Sequence, residues 1–312
     1  MSPDGPGAAA AATADDVDAG GTGVRDFFQR FVRGDLAEVR VILAIALIWV
    51  IFQAQESRFL TAVNLTNLVL QITAVGLISV GVVLVLLLGE IDLSVGAVSG
   101  LCASIMAVLN VKHGWSPYTA IAAGVVAGVV IGTIQGFLFT RFGLPSFVVT
   151  LAGLLTWQGA QLKVLGETGT VNITDPKITG LTGTFYSDTV GWIIAAVCIG
   201  AFALVSLGGR RRRIKAGLPA GPIAGLIVRV AIVAGAIIAT VAVLNSDRGV
   251  PLAALILLGF VVLFQFITTR TRFGRHIYAV GGNAEAARRA VRLTSANAPM
   301  HKAAMIQPTV SL

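Results

Sequence analysis

Long apolar blocks separated by short polar stretches set the pattern of this chain. A helix that crosses a bilayer needs about 20 mostly apolar residues. Eight segments approach that requirement: about 40–54, 66–88, 93–110, 117–140, 145–165, 189–207, 223–244 and 251–269. The first is short, and Gln158 and Gln161 interrupt the fifth, so the pattern predicts seven or eight spans. The expected fold class is all-α, a polytopic integral membrane protein whose transmembrane domain covers 39–269. Ahead of it, residues 1–24 are rich in Ala, Gly and Asp, with neither an apolar run nor a positive start. They read as a disordered tail and not as a secretory signal peptide. Residues 25–38 differ: Phe27, Phe28, Phe31 and Val32 recur at helical spacing among basic residues. That suits an interfacial helix on the cytoplasmic side, or else the frayed start of the first span.

Composition removes the alternatives. Of 312 residues, 55% are hydrophobic and only 12% charged, against about 25% charged in a soluble domain. Seven of the fifteen acids precede Val39, which leaves eight for everything after it. So little charge cannot cover a globular surface of this size. A cytosolic enzyme, a disordered protein and a disulfide-stapled secreted domain are all excluded. Cys102 and Cys198 both lie inside apolar runs and read as small buried residues, making neither a disulfide framework nor a metal site. The 36 glycines suit helices that approach closely in a membrane.

The net charge of +8 reports orientation. Arg25, Arg30, Arg33 and Arg40 precede the first span. Arg210–Arg213 and Lys215 follow the sixth, and Arg270, Arg272, Arg275, Arg288, Arg289 and Arg292 follow the eighth. Eight spans with the N-terminus in the cytoplasm place all three clusters inside, as the positive-inside rule requires, and both termini become cytoplasmic. Between two spans, Arg210–Arg213 is a topological anchor and not a nucleic-acid patch. Arg229 sits near the cytoplasmic end of the seventh span, where it can snorkel to the interface.

No zinc-ligand spacing, phosphate-binding glycine loop or nucleophile triad occurs in the chain, so no catalytic residue, metal or cofactor is expected. Two segments depart from plain membrane filler. In Gly89-Glu-Ile-Asp-Leu-Ser-Val-Gly96, Glu90 and Asp92 are the only acids between Leu68 and Leu109. Ionisable groups at membrane depth are costly and mark function by default. Gly89 and Gly96 let the backbone turn tightly, and either Ser94 or Asp92 can cap the third span. Two readings stand: a cytoplasmic hairpin whose acids merely cap a helix, or a break lining a transport path. The second segment, 270–290, is basic and amphipathic and ends in Gly282-Asn-Ala-Glu-Ala-Ala-Arg-Arg289. Asn283 is a good N-cap, with Glu285 in the first turn and Arg288 and Arg289 towards the end. A short helix of this kind is either a solvated loop or is held by a partner.

These segments carry a resemblance. Gly89–Gly96 resembles the Gly-x-Ile-Asp-Leu-Ser-Val-Gly signature of the ribose/xylose class of sugar ABC-importer permeases, although Glu90 stands where that family often has Gly. Leu144-Pro-Ser-Phe-Val-Val-Thr-Leu-Ala-Gly-Leu-Leu-Thr-Trp-Gln-Gly159 is similar to its fifth-span segment. Thr271–Ala290 is similar to its cytoplasmic coupling loop. The likeness covers roughly 25–290, and the basic insert Arg210–Lys215 leans towards the xylose type. It implies a cell-membrane transport subunit without an ATPase of its own. Its partners would be ABC ATP-binding subunits, an extracytoplasmic sugar-binding protein, a second permease copy and the lipid bilayer. It also implies that Gly89, Glu90, Asp92, Ser94 and Gly96 shape the translocation path or its gate. Gly282, Asn283, Glu285, Ala286, Arg288 and Arg289 would meet the ATPase. The likeness stops at Ala290: Val291 stands where Gly is expected, and 291–312 is a polar tail with no span. On this reading the chain is a truncated or frameshifted form. Two rivals remain: an ion-coupled secondary transporter using Glu90 and Asp92, and a non-transporting remnant.

Overall fold

A computed structural model describes residues 37–219, 222–283 and 285–287. The expected N-terminal tail, residues 25–36 of the interfacial segment, the polar tail, and Arg288 and Arg289 lie outside the described residues. The described chain is mostly helical and clusters into two units that divide between Thr61 and Ala62.

In the first unit α1 spans Ala37–Gln55. Its end is closed by contacts with the turn that follows. Gln53 Oε1 accepts the Leu60 N–H at 2.9 Å, and Phe59 packs between Phe52 (centroids 5.4 Å apart) and Trp49 (6.1 Å).

The second unit carries α2 (Ala62–Leu87), α3 (Val95–Val111), α4 (Pro117–Phe142), α5 (Ser146–Leu165), α6 (Pro176–Gly183), α7 (Asp188–Lys215), α8 (Ile223–Asn245), α9 (Leu252–Arg270) and α10 (Arg272–Gly282). Two short strands, β1 (Phe185–Tyr186) and β2 (Val250–Pro251), pair antiparallel, with Phe185 opposite Pro251 and Tyr186 opposite Val250. Each of the eight apolar segments is helical. Among the described residues, five helices are long and apolar enough to cross a membrane: α2, α4, α7, α8 and α9. The apolar part of α1 and the whole of α3 are shorter, and α5 carries Gln158, Gln161 and Lys163.

Local chemistry sets the helix limits. Pro117 opens α4 behind Ser116, whose Oγ accepts the Thr119 N–H, and Gly143 at φ +65° closes it. The polar stretch 167–188 contains α6, a helix the hydropathy pattern does not announce. Its signal is Asp175-Pro176: Asp175 Oδ1 accepts the Lys177 N–H at 2.9 Å and Pro176 takes the first helical position. Arg210–Arg213 and Lys215 follow the sixth apolar block as expected, and the helix continues through them, so that they form the last turns of α7. Cations favour the negative end of a helix dipole, and their long stems carry the charge past the apolar length.

Close backbone approach packs α3 between α4 and α5. A Cβ on Gly124 would stand 3.0 Å from the Cys102 carbonyl oxygen, and one on Gly100 would stand 2.6 Å from Gln161 Oε1. Small residues at helix contacts replace the hydrophobic drive that a bilayer does not supply. A second centre joins α7 to α8 through Ala195, Val241 and Leu244, with Val250 beneath. Large apolar side chains otherwise face outward, Leu204 at 71% and Val205 at 75% exposure, as a lipid-facing surface requires.

Within this second unit polar contacts sort to the two ends of the helices. At one end Lys112 Nζ donates to the Leu165 carbonyl (2.9 Å) and Asn110 Nδ2 to Asp175 (3.4 Å). There too, Arg248 donates to Asn67 (2.7 Å) and stacks on Phe185. The opposite end holds both segments singled out in the sequence.

Candidate functional site

At that opposite end α2 stops at Gly89, which has φ +81°. The Gly89 N–H donates to Leu86 O at 2.9 Å and the Glu90 N–H to Val85 O at 3.3 Å. This paired arrangement satisfies the last helical carbonyls and favours glycine at the left-handed position. The turn then leaves Ile91 and Leu93 exposed while drawing the polar residues inward. Asp92 Oδ1 accepts both the Ser94 N–H (2.8 Å) and the Ser94 hydroxyl (2.7 Å). Ser94 occupies the N-cap position of α3, but its side chain makes no cap bond. Of the two candidate caps, Asp92 therefore carries the hydrogen bonds, and Ser94 faces inward, fully buried.

What Ser94 faces is a residue the sequence reading missed. Gln135, in the third quarter of α4 and 9% exposed, donates from Nε2 to Ser94 Oγ at 2.9 Å. A Cβ on Gly153 of α5 would overlap that Gln135 nitrogen and stand 3.1 Å from Trp157 Nε1. Trp157 Nε1 is itself buried with no hydrogen-bond partner among the described residues. Thr150 Oγ1, also on α5, lies 3.3 Å from the Ile91 carbonyl oxygen. The turn is therefore held by α4 and α5 as well as by its own chain. The available signal was Gln135 as the single amide in α4, but its target lies 41 positions away. The half-buried Glu90 side chain makes no hydrogen bond or ion pair among the described residues, and it does not pair with Asp92. Gly96 is exposed, and a Cβ added there would meet no atom within 4 Å.

The second segment abuts the first. Thr271 caps α10, its Oγ1 accepting the Gly274 N–H at 3.2 Å, and a Cβ on Gly274 would overlap the Thr268 backbone. The helix is amphipathic. Gly274 and Ile277 face inward while Phe273 and Tyr278 remain exposed. An apolar cavity of about 350 Å³ separates it from the end of α2, between Leu84 and Leu88 on one side and Phe273 and Ile277 on the other. Gly281 makes the closest approach: a Cβ there would overlap the Leu87 carbonyl oxygen and stand 3.2 Å from Leu88 Cα. The Gly281 carbonyl oxygen in turn lies 3.9 Å from where a Cβ on Gly89 would be.

Gly282 closes α10, a helix the hydrophobic pattern left inside a loop. Asn283 ends it and begins the next turn. Its N–H donates to Ala279 O (3.2 Å), and its Oδ1 accepts the Ala286 N–H (2.9 Å). Glu285 and Ala286 are exposed in the helical residues 285–287. Among the described residues no group of three His, Cys, Asp or Glu is placed to hold a metal.

Comparison with known proteins shows the family. Residues 64–291 match the family described as the permease component of the branched-chain amino acid transport system. The xylose transport system permease protein XylH of Escherichia coli is 35% identical over 249 residues, covering 80% of this chain and 63% of XylH. XylH of Haemophilus influenzae is 32% identical over 249 residues, 80% of this chain and 66% of that protein. The L-arabinose ABC transporter permease protein AraH of Azospirillum brasilense is 30% identical over 232 residues, 73% of this chain and 49% of AraH. The chain thus spans less than two thirds of the length of each of these relatives. No solved structure matches.

Proposed function

The chain belongs to the family of transport-system permease components, and from that premise we propose that it is the membrane subunit of an ATP-driven monosaccharide importer. A pentose such as xylose is the favoured cargo, since the XylH proteins cover four fifths of this chain. The subunit sits in the plasma membrane with eight spans and both termini cytoplasmic. It has no ATPase of its own and works with cytoplasmic ATP-binding subunits, an extracytoplasmic sugar-binding protein and a second permease copy.

One observation carries the mechanism: the backbone contact of Gly281 with Leu87 and Leu88. Because Gly281 has no side chain, α10 touches the last turn of α2 backbone to backbone. A displacement of α10 by an ATPase docked on Gly282, Asn283, Glu285, Ala286, Arg288 and Arg289 therefore passes straight to Gly89. Two glycine-linked rigid helices transmit motion without loss into flexible side chains. The moved element is the turn holding Glu90, Asp92, Ser94 and Gly96, whose polar interior rests on Gln135. Opening and closing that turn would gate the path, and the site residues shape it without covalent chemistry. Among the described residues, Asp92 is committed to Ser94 and unpaired with Glu90, an arrangement that suits a hinge better than a coupling pair for ions.

The test is co-purification and uptake. The chain is expected to retain an ATP-binding subunit in detergent, and Glu285→Arg to lower that retention about tenfold. Retention by neither protein, or by both equally, overturns the coupling assignment. Uptake surviving collapse of the ion gradient separates this reading from an ion-coupled carrier.

A further inference from the structure

The hairpin of α7 and α8 carries a feature that transport does not use. Between Asp188 and Asp247 the sequence has no acid, yet it has six basic residues: Arg210–Arg213, Lys215 and Arg229. A cavity of about 380 Å³ opens where the end of α7 meets the start of α8. Arg210, Arg213 and Arg229 line it together with Gly209, Gly225 and Leu226. Neither glycine has any atom within 4 Å of its would-be Cβ, so both leave space for a ligand.

The cavity selects one chemistry. Arg210 and Arg213 are three apart on α7 and so share a face, whereas Arg211 and Arg212 point elsewhere. Arg229 lies against the half-buried Phe202, its guanidinium carbon 5.8 Å from the ring centroid, which holds the charge at the hairpin interface. The first turn of α8 adds to the positive field, since its N-cap is Pro222, with no side-chain cap. A tetrahedral phosphate matches guanidinium forks. The walls decide the source. The same two helices continue from the cavity into exposed apolar lengths, with Leu204 at 71%, Val205 at 75% and Ile227 at 60% exposure. A free anion has no use for that surface, and acyl chains do.

We propose that this cavity binds the phosphate headgroup of an anionic phospholipid, with its acyl chains running along the α7–α8 hairpin. Basic pockets between helices on the cytoplasmic side are suited to such lipids. The proposal needs only that the hairpin is membrane-embedded with its basic end facing the cytoplasm, so it stands or falls independently of sugar transport.

The experiment uses the full chain reconstituted in mixed phosphatidylcholine and phosphatidylglycerol, extracted in mild detergent and read by native mass spectrometry. The wild type is expected to retain phosphatidylglycerol in preference to phosphatidylcholine. R213Q/R229Q should lose that retention about tenfold or more, while R211Q/R212Q, which removes the same charge outside the cavity, should keep it. Monodispersity on a sizing column checks that each variant folds. If R213Q/R229Q aggregates, R213Q alone takes its place and is expected to lose the retention that R211Q/R212Q keeps. Equal retention of the two lipids by the wild type, or equal loss in both double variants, overturns the proposal. So does displacement of the lipid by inorganic phosphate at comparable concentration, which would assign the cavity to a soluble anion.

Discussion

Gly89 and Gly96 bound the same motif and look equivalent in sequence, yet only one is constrained by its backbone. Gly89 sits at φ +81° and anchors the end of α2, whereas Gly96 faces open space in helical conformation. Gly89→Ala is therefore expected to cost about 1 kcal/mol, and Gly96→Ala to be neutral or slightly stabilising through helix propensity. Thermal unfolding of the detergent-purified variants measures both. Gln135→Leu presents a sharper case, because it removes the donor to a fully buried hydroxyl. Destabilisation of about 1–3 kcal/mol is expected, and Ser94→Ala combined with it should cost less than the two singly added. Additive losses would mean that the two side chains do not interact. The Gly89 turn and the Asp92–Ser94 pair were legible because the bonds of the Gly89 N–H and of Asp92 are local, within two or three positions. Gln135, Thr150 and Gly153 were not, because their partners lie on other helices and no periodicity encodes which helix comes next to which.

At the scale of elements, hydropathy located the helices well and their ends poorly. Each apolar block is a helix, but α7 runs on through four arginines to Lys215, since apolar length measures the membrane and not the hydrogen-bond ladder. The helices α6 and α10 escaped because neither is an apolar block. Both are announced by caps instead, Asp175 for one and Thr271 for the other. The amphipathic α10 is where element structure meets function. Gly281→Leu adds a side chain where the Leu87 carbonyl already stands, so α10 must lift from α2. The expected result is sugar uptake reduced at least about tenfold with ATP-binding subunit retention unchanged, a split between coupling and docking. Retention lost together with uptake would place Gly281 in docking, and uptake unchanged would remove the α10–α2 contact from the mechanism.

For the whole molecule, two independent sortings describe the same two sides. Hydrogen bonds gather Lys112, Asp175, Asp188 and Arg248 at one end of the second unit. The other end receives the Gly89 turn, the last turns of α7 and all of α10, with Arg210–Arg213, Lys215, Arg270, Arg272 and Arg275. The longest run of cations falls wholly on the second end, which the positive-inside rule assigns to the cytoplasm. Single-cysteine labelling tests this, in a background where the half-buried Cys102 and Cys198 are replaced by Ala. Thr182→Cys, exposed beside β1, should react with a membrane-impermeant maleimide in intact spheroplasts. Arg211→Cys and Tyr278→Cys should react only after permeabilisation. Labelling of Arg211→Cys from outside would invert the hairpin, placing the basic cavity on the wrong face for a cytoplasmic lipid headgroup and α10 out of reach of any ATPase. The orientation of one arginine cluster thus decides whether the gate and the lipid site can operate at all.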